Sequence, residues 1–139
     1  MYTGLTNAHS GWRWIVLLLI VVAILQALLQ PGKKSKTPLF ALIATHIQLV
    51  FGVILYFLSP KVQFTADTMK VALTRFYTVE HTTLMLIAIV LITIGYGKWK
   101  RAETPDKASK KVLTFYLIGL ILILAGIPWP FRNLGAGWF

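Results

Sequence analysis

Trp14 to Gln30 reads WIVLLLIVVAILQALLQ, an apolar run with no charged residue. It is close to the roughly 20 residues that cross the hydrocarbon core of a bilayer. Three more runs of the same kind follow. They are PLFALIATHIQLVFGVILYFL (Pro38 to Leu58), YTVEHTTLMLIAIVLITIGY (Tyr77 to Tyr96) and VLTFYLIGLILILAGIPWP (Val112 to Pro130). Each is continuous rather than alternating, which excludes barrel strands. A backbone in lipid must satisfy its own hydrogen bonds, so all four are expected as helices. The spans are placed at about 12–30, 38–58, 77–97 and 112–130. The first run is too long for a signal-peptide core and no A-x-A site follows it, so it is expected as a retained helix.

Composition points the same way. Of 139 residues, 57% are hydrophobic and 13% charged, and mean hydropathy is +0.72. A soluble domain averages about 45–50% apolar and about 25% charged, so both values depart in the direction of lipid. An ordinary water-soluble enzyme and a disordered tail are excluded. The absence of cysteine removes disulfides, thiolate metal sites, iron–sulfur clusters and Cys-linked haem.

The formal charge of +10 is a topology signal. Nine of the fourteen Lys and Arg lie in two linkers, PGKKSKT (Pro31 to Thr37) and KWKRAETPDKASKK (Lys98 to Lys111). The positive-inside rule makes that side cytoplasmic, where lysines also attract anionic headgroups. No nucleic-acid partner is expected. The expectation is one all-α domain over 1–139: an integral membrane four-helix up-and-down bundle in a bacterial inner membrane, with both termini on the non-cytoplasmic side. Within the outer loop Ser59 to Phe76, the part from Thr65 onward reads either as a short interfacial helix or as the first turns of a long third helix.

Ionisable groups within membrane spans are expensive and are functional candidates by default. Here they are His9, just before the first span, His46 in the second, and Glu80 and His81 near the outer end of the third. Counted from the cytoplasmic end at about 1.5 Å per residue, His81 lies roughly 24 Å up, His9 roughly 31 Å and His46 roughly 13 Å. His9 and His81 are the closest pair in height. Three arginines, Arg13, Arg75 and Arg132, share the outer side with Trp12, Trp14, Phe76, Tyr77, Trp129, Phe131, Trp138 and Phe139.

A b-type haem needs imidazole ligands, cations for its two propionates and an apolar or aromatic cleft. The outer cluster contains each. His81 and His9 are the expected metal ligands, with His46 in reserve. Arg13, Arg75 and Arg132 would hold the propionates, and Glu80 would orient a ligand or pass a proton. A quinone head could use the same end, bonded to His81, Glu80 and Tyr77. Plainer roles fit the same residues: His9 as an interfacial side chain, His81 with Glu80 as a helix-interface pair, and His46 with Thr45 and Gln48 as polar glue between helices. Likewise the tryptophans suit an aromatic belt and the arginines snorkelling anchors. No phosphate-binding loop, dinucleotide fingerprint, nucleophile elbow or HExxH motif is present, and four acids are too few for a paired-carboxylate hydrolase.

AHSGWRW (Ala8 to Trp14), HIQLVFGVILYFLSPKV (His46 to Val62), RFYTVEH (Arg75 to His81) and IPWPFRNLGAGWF (Ile127 to Phe139) resemble a family of small four-span membrane proteins of Bacteroidota labelled cytochrome B. The resemblance covers nearly the whole chain. It implies a b-type haem, electron transfer and ligands among His9, His46 and His81. A weaker likeness is to the short haem-carrying protoporphyrinogen oxidases of bacteria, which also place a histidine near the start of the first helix. Their Trp-x-x-Gly-Leu-Phe-Tyr run is missing here. Two function classes follow. One is a small haem cytochrome exchanging electrons with quinone or a partner complex. The other is a cofactor-free accessory subunit that docks other membrane subunits through its outer aromatic cluster.

Overall fold

The computed structural model describes residues 1–139. It has four long helices and no strand: α1 Tyr2–Leu29, α2 Thr37–Leu58, α3 Ala72–Lys100 and α4 Pro105–Gly126. All four are long and apolar enough to cross a membrane. Of 101 backbone hydrogen bonds, 85 lie within helices, as a lipid-facing backbone requires. Only 26 residues are buried. Large apolar side chains such as Leu18, Val50, Val90 and Ile121 point outward, a surface that water would penalise and lipid does not.

Sequence boundaries move for identifiable reasons. α1 begins ten residues before the expected 12, because the polar YTGLTNAHSG stretch contains no proline and is anchored sideways. Tyr2 Oη bonds Ser59 Oγ at 3.2 Å, and the Gln48 amide donates to the His9 carbonyl at 2.8 Å. α4 begins at Pro105 rather than 112: Thr104 caps it by accepting from the Lys107 N–H at 3.2 Å, and proline suits the first helical turn. It ends at Gly126 rather than 130, because Pro128 holds Ile127 extended (φ −73, ψ 133). α3 runs from Ala72, so only the last residues of the 59–76 stretch begin a long third helix; Thr65 to Val71 forms turns rather than helix.

The helices form a ring in chain order, closed by α1 against α4. α3 and α4 pack most extensively, and α2 and α3 least. The core gathers Ile20, Ala41, Ala88, Ile92 and Tyr116. Tyr116, fully buried, donates to the Pro38 carbonyl at 2.7 Å and ties α4 to the start of α2. All nine linker cations are exposed at one end, where the Gly32 N–H donates to Ser109 Oγ at 3.0 Å and joins the two basic linkers.

Glycines set the α3–α4 distance. A Cβ at Gly95 would stand 2.4 Å from Phe115 Cβ, and one at Gly119 2.9 Å from Ile92 Cγ1. Close approach through small residues drives helix association where lipid offers no hydrophobic gain. Gly11, also helical, has open space around it. Gly95→Ala should therefore destabilise by about 1–3 kcal/mol, while Gly11→Ala should be neutral or stabilising. Thermal unfolding in one detergent compares the two, and equal effects would contradict the close packing.

Candidate functional site

At the end opposite the basic linkers, two histidines meet across the bundle. His9 lies two turns into α1, inside the helix rather than before it. His81 comes from the diagonal helix α3. Their ring centroids are 6.2 Å apart with planes at 69°. His81 Nδ1 donates to the Gly126 carbonyl at 2.7 Å. A carbonyl only accepts, so the proton sits on Nδ1 and Nε2 carries the lone pair. The His9 ring lies against Gly52, where a Cβ would be 3.3 Å from Cε1. Its Nδ1 is buried and has no partner. Phe76 and Tyr77 flank His81 at 5.8 and 6.4 Å between centroids.

The helix geometry just before His81 is unusual. Phe76–Glu80 is a π-helical turn within α3. Such single-turn bulges are frequent at functional sites. The inserted residue rotates everything before it relative to His81. As a result Phe76 is buried beside the histidine, while Glu80 turns outward to a half-exposed ion pair with Arg75 at 2.8 Å. Thr82 Oγ1 donates to the Tyr77 carbonyl at 3.2 Å and takes up an acceptor in the widened turn.

The other expected site residues separate from the pair. His46 lies on the exposed outer face of α2, where its Nδ1 donates to the Leu42 carbonyl one turn back at 2.8 Å. Its one hydrogen bond stays within its own helix. The position of inter-helix glue is taken by Gln48, through its bond to His9 O. The carbonyl of Gly126, not Glu80, orients His81. Arg132 Nη1 donates to the carbonyls of Ala125 at 2.9 Å and Ile127 at 3.1 Å, and its guanidinium lies 4.7 Å from the Phe76 ring centre. Arg13 is buried, donates from Nη2 to the Trp138 carbonyl at 2.7 Å, and sits within 6 Å of the Trp14 and Trp129 ring centres. Tyr77 Oη donates to the Leu134 carbonyl at 2.8 Å.

Gly52 and Gly126 are not marked by the sequence, which places Phe76 only in the aromatic cluster and Gln48 only as inter-helix glue. The signal available was helical spacing: Gln48 and Gly52 lie four apart on one face of α2, the spacing of neighbours along a helix. Which helix that face meets is a tertiary fact. Comparison of the chain with models of protein families, with curated proteins and with solved structures finds no match.

The contact between His9 and Gly52 is testable by a double-mutant cycle. Gly52→Val should lower stability by about 1–3 kcal/mol through overpacking, and most of that cost should vanish in a His9→Ala background. Additive effects would mean that the ring does not lie on Gly52.

Proposed function

We propose that this chain is a small b-type haem-binding cytochrome of a bacterial inner membrane, with His9 and His81 as axial ligands, exchanging electrons with quinone or a partner complex. The observation that carries the proposal is the 6.2 Å spacing of two imidazoles from diagonal helices. His9 and His81 would be the residues that hold the iron, being imidazoles brought together from two helices at an end with no competing thiolate.

Several features of the residues fit such a group. His81 has its Nδ1–H engaged by a backbone carbonyl, the arrangement that fixes the tautomer and orientation of a metal-ligating histidine. His9 has an orphaned buried nitrogen and a glycine where a side chain would crowd it. The donor set, two imidazoles and no thiolate, is that of a b-type site. Arg13 and Arg132 bond only neutral carbonyls, so their charges remain for carboxylates, whereas the charge of Arg75 is matched by Glu80. When bound, haem supplies one-electron ferrous–ferric chemistry. The polypeptide holds and orients the imidazoles, lines them with Phe76 and Tyr77, and supplies positive charge at that end. The resemblance to the Bacteroidota family supports the same reading. So does the positive-inside rule for sidedness, which puts the histidine end on the non-cytoplasmic face.

A second reading is a cofactor-free accessory subunit. It is favoured by the exposure of Phe131 (72%), Trp138 (51%) and Phe139 (79%) at one end, an aromatic surface suited to docking. A porphyrin oxidase using the same haem ligands is a third.

The deciding measurement is the visible spectrum of protein purified from haem-replete cells, oxidised and then dithionite-reduced. A Soret band with sharp reduced α and β bands is expected, lost in His81→Ala and in His9→Ala and retained in His46→Ala. A flat wild-type spectrum would leave the accessory-subunit reading. Loss in His46→Ala alone would overturn the ligand assignment.

A further inference from the structure

Arg13 is the only buried arginine in the chain, at 7% exposure, and no carboxylate pairs with it. Nη2 donates to the Trp138 carbonyl at 2.7 Å, and Trp14 Nε1 donates to that same oxygen at 3.0 Å. Arg13 Nε is buried without a partner. Two N–H donors thus share one neutral acceptor and a third, Arg13 Nε, has none. Guanidinium is shaped for two parallel bonds to a planar carboxylate, and a buried cation without its anion is costly. A carboxylate in the place of the Trp138 carbonyl would bring two oxygens and a negative charge to the three donors.

The segment that supplies the carbonyl is anchored at its start and glycine-rich beyond it. Leu134 is buried and held through its carbonyl by Tyr77, and the Gly135 carbonyl accepts from Lys61 Nζ at 2.8 Å. Beyond them the chain runs Gly135-Ala136-Gly137 before Trp138, and Gly135 has φ +71, a conformation that glycine adopts freely. The side chains of Trp138 (51%) and Phe139 (79%) are largely exposed; their rings lie near Trp129 and Trp14, and the Trp138 carbonyl takes the bonds from Arg13 and Trp14. The strap therefore has a fixed end at Leu134 and, past two glycines, an end held through the single carbonyl of Trp138.

We infer that Arg13 and Trp14 form a carboxylate site for the propionate side of the haem, and that the 136–139 strap occupies it and is displaced on binding. This inference rests on the haem reading and adds a residue-specific exchange to it. The chain lacks cysteine, so a nitroxide on Gly137→Cys, an exposed position with no side chain within 4 Å of its Cβ, reports the strap alone. Spin-label spectra in nanodiscs would be recorded with no porphyrin, with hemin, and with hemin dimethyl ester, whose carboxylates are masked. The Soret band of the same samples records binding.

Hemin should convert the label from a slow to a predominantly mobile spectrum, and the dimethyl ester should bind without doing so. Arg13→Gln should mobilise the label with no porphyrin present and weaken binding of hemin by about tenfold or more, with little change for the ester. A Soret shift from hemin with an unchanged label would overturn the strap exchange and leave the haem reading intact. Equal mobilisation by the ester would overturn the carboxylate site. No Soret shift from either porphyrin would overturn both readings.

Discussion

The last carbonyls of α4 are the constraint around which the histidine end is built. A helix leaves four carbonyls unpaired at its C-terminus, and Pro128 stops α4 while the bundle is still apolar. Side chains take up those carbonyls in turn: Trp129 Nε1 on Leu124 at 2.9 Å, Arg132 on Ala125, and His81 on Gly126. Orphaned carbonyls in lipid would each cost several kcal/mol. The same bonds that end the helix therefore fix the tautomer of His81 and place Arg132 beside Phe76.

Backbone shape makes those bonds geometrically possible. Gly126 lets α3 approach closely, since a Cβ there would stand 2.9 Å from Met85 Cε. The π turn at Phe76–Glu80 then rotates the start of α3, so that Phe76 and His81 face inward while Glu80 pairs with Arg75 outside. On the opposite side, Gln48 and Gly52 of α2 hold the His9 backbone and receive its ring. Two histidines from diagonal helices meet because three neighbouring elements position them.

The three outer arginines do different work despite their similar place in the sequence. Arg132 closes a helix end, Arg75 neutralises Glu80, and Arg13 holds the C-terminal strap. Charge complementarity decides which of them keeps an unmatched charge. Arg13 and Arg132 do, and they flank the histidine pair from the α1 and α4 sides. The buried polar groups of the bundle thus concentrate at one end, while the linker lysines lie exposed at the other.

Hydropathy alone determined that the chain forms four apolar helices, because lipid permits few other backbones and the runs have the right length. Depth counting put His9 and His81 at similar heights, since helical rise is fixed. What only the tertiary structure decided is azimuth. His46 sits in an apolar run and shares residue type with the other two, yet faces outward, because Ala41, Ala44 and Thr45 take the inward side of α2. The helix ends at Thr104-Pro105 and Ile127-Pro128 were legible as capping and proline signals that a hydropathy window averages away. The π turn had no such signal: it is a register adjustment in the segment where Phe76 packs beside His81 and His81 bonds Gly126.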